Sequence, residues 1–242
     1  MGRLIAFDAM HNFRDLGGIR TAEGRTVRRG PVFRSDSPAR LEGPEWDRFL
    51  GLGIRTVIDL RYPWEVSAKG RVPEHERLTY LNLSIEHRPY DQAAIDPAVD
   101  PWRYLADRFA EVAEDGVEEI RQVLETVAAA DAPLLLHCAS GKDRTGLVAA
   151  LVLSLLGADE DEIARDFALT ELATERLGAV WSAAHEGRRP AWPGYGRAPE
   201  EVIRLFLASL TAAHGSVHGY ATGRLGVTDG TIEALRARLL ED

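Results

Sequence analysis

Pro133-Leu134-Leu135-Leu136-His137-Cys138-Ala139-Ser140-Gly141-Lys142-Asp143-Arg144-Thr145-Gly146 runs straight into Leu147-Val148-Ala149-Ala150-Leu151-Val152-Leu153. The first part is short and continuously apolar, which fits a central strand covered on both faces. Residues 145–156 are apolar nearly all round, which fits a core helix. A glycine-bearing loop joins the two, so the chain must turn tightly at a helix N-terminus. Backbone N–H groups converge at such a turn and the helix dipole adds roughly half a positive charge, so an anion is favoured there.

The side chains of the loop narrow the chemistry. Cys138 is the single cysteine, which excludes an intrachain disulfide framework and multi-cysteine zinc sites and leaves one thiol. A helix N-terminus and a nearby cation favour the thiolate, the nucleophilic form of cysteine. Arg144, six positions on, can bend back and offer a planar two-pronged donor to phosphate oxygens, while Lys142 adds positive charge at the rim. The Thr145 hydroxyl is placed to donate to the Cys138 sulfur, and Gly141 and Gly146 give the backbone room. The amides of Ala139, Ser140, Gly141, Lys142, Asp143 and Arg144 are the expected phosphate donors. A lone cysteine is more often a buried structural thiol, but the adjoining Gly, Lys, Arg and Thr argue against that here. A Walker loop is excluded because Leu136 stands where its first glycine belongs and Asp143 where Ser or Thr belongs.

The rest of the chain sets limits. Its 242 residues, 45% hydrophobic and 28% charged, suit one globular domain over 1–242. A formal charge of −9 excludes general affinity for nucleic acid or anionic lipid, so any bound anion must meet a local positive site. The N-terminus carries no apolar run of signal length, and 147–156 is too short to span a bilayer. The chain therefore reads as cytoplasmic, although leaderless secretion would leave no mark. Its seven histidines show no metal-ligand spacing, so no metal is expected.

Coarse patterning gives a hairpin turning at Glu23-Gly24, strands at Val32–Arg34, Thr56–Asp59 and Thr79–Leu83, and a short helix over Glu45–Leu50. Residues 86–100 are polar and aperiodic and lead into a helix near Trp102–Val112, so 86–112 is a candidate lid insertion. The Trp102 and Tyr104 pair reads as helix packing. Helices are expected at 117–129, 161–172, 174–185, 199–213 and 228–240, giving an α/β core with a helical C-terminal third.

The loop's Cys, five residues, Arg, with His before and Thr-Gly after, resembles the signature of the protein tyrosine phosphatase superfamily. The form His-Cys-x-x-Gly-Lys-Asp-Arg-Thr-Gly is similar to that of the bacterial tyrosine/serine protein phosphatase family, and also to loops that hydrolyse phosphoinositides. Asn12-Phe13-Arg14-Asp15-Leu16-Gly17-Gly18 resembles that family's opening segment. Phe33-Arg34-Ser35-Asp36 and Asp59-Leu60-Arg61 resemble its next two landmarks, and residues 219–227, more loosely, its closing one.

The resemblance implies a mostly parallel central sheet flanked by helices, and hydrolysis of phosphomonoesters through a phosphocysteine intermediate without metal or organic cofactor. Cys138 would be the nucleophile and Arg144 the phosphate holder. The substrate would be a phosphorylated protein, phosphotyrosine foremost with dual tyrosine/serine specificity as an extension. A phosphoinositide or inositol phosphate is the alternative. A non-catalytic phospho-ligand binding module or a sulfur-transfer protein is the reading from another class, against which Cys138, Asp143, Arg144 and Thr145 together argue.

The general acid has two candidates. Many members of the superfamily use the Asp of a Trp-Pro-Asp loop before the cysteine, and this chain has none; Trp192-Pro193-Gly194 lacks the carboxylate and follows Cys138. Asp143, as the family's Gly-Lys-Asp-Arg implies, and Asp59 at a strand end remain, with Asp143 favoured for its proximity. His137 is expected to brace the loop, and Arg14, Asp15, Arg34, Asp36 and Arg61 to form a supporting network.

Overall fold

The computed structural model describes residues 2–87, 94–184, 186–187 and 190–242. The strands are β1 (Arg14–Asp15), β2 (Thr26–Val27), β3 (Val32–Ser35), β4 (Thr56–Asp59), β5 (Thr79–Asn82), β6 (Leu134–His137) and β7 (Leu240–Glu241). The helices are α1 (Gly43–Gly51), α2 (Pro63–Lys69), α3 (Pro101–Asp115), α4 (Val117–Ala129), α5 (Asp143–Leu155), α6 (Glu160–Ala168), α7 (Glu171–Ala184) and α8 (Glu200–His214). A three-residue α9 (Val217–Gly219) leads into a π-helical turn at Tyr220–Arg224, and α10 (Asp229–Leu239) follows.

The main sheet has the order β1-β3-β6-β4-β5, with β1 antiparallel to β3 and every other pair parallel. The register sets Ser35 and Asp59 on either side of His137, so three parallel strands end together at one edge. Ligands of open α/β sheets bind beyond that carboxyl edge.

Alternate residues of these strands enter opposite cores. Val32, Ile58, Leu134 and Leu136 face the helical side, while Phe33, Val57 and Leu135 face a second core with Phe7, Met10, Phe13 and Phe49. Strand β6 is thus buried on both faces, which explains its unbroken apolar run. Helix α5 is buried at every position from Thr145 to Leu153, and α4 buries the stripe Ile120, Val123, Leu124 and Val127. No helix among the described residues is long and apolar enough to cross a membrane.

The structure departs from the sequence expectations in four places. Helix α2 was not foreseen. The single helix expected over 161–172 ends at Ala168, because the buried Thr170 hydroxyl instead accepts from Asn12 Nδ2 (3.4 Å) and Arg14 Nη2 (3.3 Å). The expected hairpin at Glu23-Gly24 forms, with Arg20 opposite Thr26, but the pairing of its strand β2 with the C-terminal β7 was not foreseen. Of the candidate lid, residues 88–93 lie outside the described residues. Its latter part is a core helix: α3 starts on Pro101 with Asp100 capping two amides, buries Leu105, Phe109 and Val112, and packs on α8. Trp192 is buried, donates to the Val99 carbonyl (3.1 Å) and meets Tyr104 edge-on, so Trp192-Pro193-Gly194 and Tyr104 belong to the packing.

Candidate active site

The loop leaves β6 at Cys138, which is 2% exposed, and enters α5 at Asp143. Three successive carbonyls of the loop are tied from outside. Ala139 O accepts from the Ser37 amide (3.3 Å), Ser140 O from Asn12 Nδ2 (3.0 Å) and Gly141 O from Arg34 Nη2 (2.8 Å). These three ties hold the loop against β3 and the segment before β1. Among the described residues, none of the amides of Ala139–Lys142 donates to a protein acceptor, and those at the start of α5 lack intrahelical partners by construction. Gly141 makes the turn possible: its φ is 67°, and a Cβ there would stand 2.4 Å from the Ser35 carbonyl group.

Arg144, in the first turn of α5, is held by α2. Its Nη1 and Nη2 donate to Glu65 Oε2 (2.6 Å) and Oε1 (3.1 Å), Nη1 also reaches Leu60 O (3.3 Å), and its guanidinium lies 5.1 Å from the centre of the Tyr62 ring. Burial opposes the charge of Arg144, but the Glu65 hydrogen bonds and the neighbouring Cys138 sulfur outweigh it and hold Arg144 above the ordinary arginine range. Burial likewise opposes ionisation of Glu65, and Arg144 overcomes it, keeping Glu65 below the usual carboxylate range.

A second charged layer lies beneath the loop. Asp166, buried on α6, accepts from Arg34 Nη1 (2.6 Å), Arg14 Nε (3.1 Å) and Arg3. Burial works against its charge, but Arg14 and Arg34 hold it well below the usual aspartate range. Burial and the like charge of Arg34 bring Arg14 down to about 9. Arg34, which grips Gly141 O, is thereby fixed by Asp166. Asp36 accepts from the His11 and Asn12 amides and from Ser35, which sets Asn12 against Ser140.

Asp59 at the end of β4 is fully buried. Arg61 donates to both its oxygens (Nε 2.9 Å, Nη2 2.6 Å), and the Tyr80 hydroxyl donates to Oδ2 (2.9 Å). Burial favours the neutral acid, but Arg61 and His137 together hold Asp59 below its ordinary range. His137 stands 3.5 Å from Asp59 and its Nδ1 meets the Cys138 carbonyl at 3.1 Å, so it spans strand end and loop. Asp15 accepts from the Gly17 and Gly30 amides and ties the turn before β3 rather than the loop.

Two expectations need adjustment. The Thr145 hydroxyl is buried and has no hydrogen-bond partner among the described residues, so the expected bond to the Cys138 sulfur is not formed. Lys142, expected at the rim, is instead buried, with its Nζ 3.3 Å from Asp143 Oδ1; Asp143 itself is partly exposed. Glu65, Asp166 and Asn12 escaped the sequence reading as individual site residues. Only Glu65 had a local signal, standing two residues after Pro63, where an acidic residue marks a helix start.

An anion held by the loop amides would meet Arg144 at one side and the Cys138 sulfur at another, the arrangement of the cysteine-dependent phosphoric monoester hydrolases. Within that class the chain belongs to the tyrosine phosphatase family, whose family model matches residues 5–241. A protein of Cupriavidus necator named as a tyrosine-protein phosphatase is 33% identical over 92% of this chain and 84% of that protein. The triple specificity protein phosphatase PtpB of Mycobacterium tuberculosis is 29% identical over 95% of this chain and 96% of that protein. Among solved structures, TpbA of P. aeruginosa is 20% identical, over 76% of this chain and 89% of that one, with a TM-score of 0.38.

Proposed function

We propose that this tyrosine phosphatase acts on phosphotyrosine in protein substrates, with Cys138 as its nucleophile. The tie of the Ala139, Ser140 and Gly141 carbonyls carries the reading, because it fixes the loop next to the sulfur while its amides keep no protein acceptor among the described residues and so can serve an anion. Sγ attacks phosphorus, the S–P bond forms as the P–O ester bond breaks, and the departing phenolate takes the proton of Asp143. Water then attacks the phosphocysteine and gives a proton to Asp143. The S–P bond breaks with its electron pair returning to sulfur, and inorganic phosphate leaves. The loop amides and Arg144 stabilise the charge on the non-bridging oxygens. Thr145, with no competing bond, is free to turn its hydroxyl to the sulfur as it leaves.

Asp143 suits the acid role better than Asp59. Asp59 has both oxygens occupied and is held as a carboxylate, so it has no proton to give. His137, Arg61, Arg14, Arg34 and Asp36 serve the loop from behind.

The test is hydrolysis of an aryl phosphate, a phosphotyrosine peptide and a phosphoinositide panel by the wild type and Cys138→Ser, with a metal chelator present. Phosphatase activity on the peptide that disappears in the variant is expected. Turnover retained by Cys138→Ser overturns the nucleophile, and a strong preference for phosphoinositides moves the substrate class.

A further inference from the structure

The charges in the layer behind the loop do not balance. Asp166 is one carboxylate shared by three arginines, Arg3, Arg14 and Arg34, and among the described residues these arginines form no other ion pair. Asp15, whose charge also feels Arg3, is shared with Arg29 and is bound to the Gly17 and Gly30 amides. Even with Asp15 counted in full, three cations face two anions. Buried charge that is not cancelled is costly. Arg34, 1% exposed, shows that cost: its Nε–H is buried without an acceptor among the described residues. Burial holds Arg34 below the ordinary arginine range, while Asp166 and then the Cys138 sulfur act the other way.

The excess charge lies against the phosphate loop. Arg34 Nη2 donates to Gly141 O (2.8 Å), and the same nitrogen would stand 3.4 Å from a Cβ on Gly146, in the first turn of α5. Arg34 therefore adjoins the loop and the helix start together. The Cys138 sulfur favours the charge of both Arg144 and Arg34.

We propose that Arg34 is a second cation of the phosphate site: without touching the phosphate, its uncancelled charge, fixed behind the loop by Asp166, adds to the field at the start of α5 and strengthens anion binding there. This rests on the reading of the Cys138 loop as the phosphate site. A bound phosphate brings the negative charge that the layer lacks, and between buried groups that attraction is screened little by water or salt. The tie to Gly141 also acts locally. The C=O and N–H of a trans peptide point opposite ways, so holding Gly141 O on Arg34 turns the Lys142 N–H away from it. A charged donor on the oxygen also polarises that N–H and makes it a stronger donor. Arg34 is thus a positioning residue, distinct from Arg144, which holds the phosphate itself.

Competitive inhibition of aryl phosphate hydrolysis by inorganic phosphate tests this in the wild type, Arg34→Gln and Arg34→Lys. Gln removes the charge and keeps an amide donor, whereas Lys keeps the charge without the planar fork. Arg34→Gln is expected to raise the inhibition constant of phosphate roughly tenfold or more, and Arg34→Lys to stay within about threefold of the wild type. An unchanged constant in Arg34→Gln overturns the proposal. So does an equal weakening in both variants, which would make Arg34 a brace whose shape alone matters. Should the Arg34 variants fail to fold, Arg3→Gln decides the matter, because Arg3 is 15% exposed at the edge of the layer. It is expected to raise the constant roughly two- to threefold, and an unchanged constant overturns the proposal. Turnover surviving in Cys138→Ser, assayed alongside, would instead sink the reading of the loop, whatever Arg34 does.

Discussion

Glu65 grips Arg144 with both carboxylate oxygens, at 2.6 Å and 3.1 Å, and so joins α2 to the first turn of α5 across the mouth of the cradle. A bidentate pair fixes the plane of the guanidinium as well as its position. Glu65→Gln keeps the shape and one acceptor but removes the charge. A hydrogen bond to a charged group contributes about 1.5–3 kcal/mol, so kcat/KM for an aryl phosphate should fall roughly ten- to hundredfold, with the thermal midpoint little changed. Unaltered kcat/KM would show that the loop holds Arg144 without help from α2.

Gly141→Ala should be more severe. The left-handed backbone disfavours any side chain, and the new methyl would meet the Ser35 carbonyl group at 2.4 Å. The loop must lift off the end of β3, which breaks the Arg34 tie to Gly141 O. Displacing a catalytic constellation by about 1 Å costs on the order of a hundredfold in rate. Circular dichroism should show a folded protein that has lost at least that much activity; retained turnover would mean that the amides need no such restraint.

The loop and its two flanking elements are legible in the sequence because every signal there is local: an apolar strand, glycines, then a helix apolar all round. Asp166 shows the opposite case. It lies on a helix with Glu160, Asp161 and Glu162, where one more acid reads as solvated surface, and its partners Arg14 and Arg34 come from β1 and β3, far away in the chain. Only packing of α6 against the sheet turns it into a buried hub. Strands β2 and β7 are two residues each and pair from near opposite ends of the chain, too short for any period to appear. Helix α2 has a start signal in Pro63 and Glu65 but buries nothing, so the apolar spacing that revealed α4 is missing there.

The two carboxyls considered for proton transfer should separate cleanly by leaving group. Asp143→Asn is expected to slow hydrolysis of a poor leaving group, such as phosphotyrosine, by roughly a hundredfold or more while sparing an activated aryl ester. Asp59→Asn leaves Arg61 buried beside a neutral amide, so its main effect should be on stability, on the order of 3 kcal/mol by urea unfolding. A leaving-group-dependent loss in Asp59→Asn, and none in Asp143→Asn, would reverse the assignment.

His137 ties stability to pH in a window of its own. Burial opposes the imidazolium, and although Asp59 pulls the other way, the folded pKa drops to about 4 from an ordinary 6.5. Between those values the unfolded chain takes up a proton that the folded chain refuses, so stability falls as pH falls. From pH 8 to pH 5 this one group should remove about 2 kcal/mol. Asp59, Glu65 and Asp166 have depressed folded pKa values, so their contribution is intact above the ordinary carboxylate range and is lost only at lower pH. Burial raises Asp15 and Asp36 instead, so these carboxyls gain stability as pH falls and oppose the histidine. The difference between the wild type and His137→Asn in urea unfolding from pH 5 to 8 therefore reports the histidine. His137→Asn can still donate toward the Cys138 carbonyl, should be less stable at pH 8, and should lose clearly less stability than the wild type on going to pH 5. Parallel pH profiles for the two proteins would mean that the imidazole under the loop titrates in the fold as it does in water.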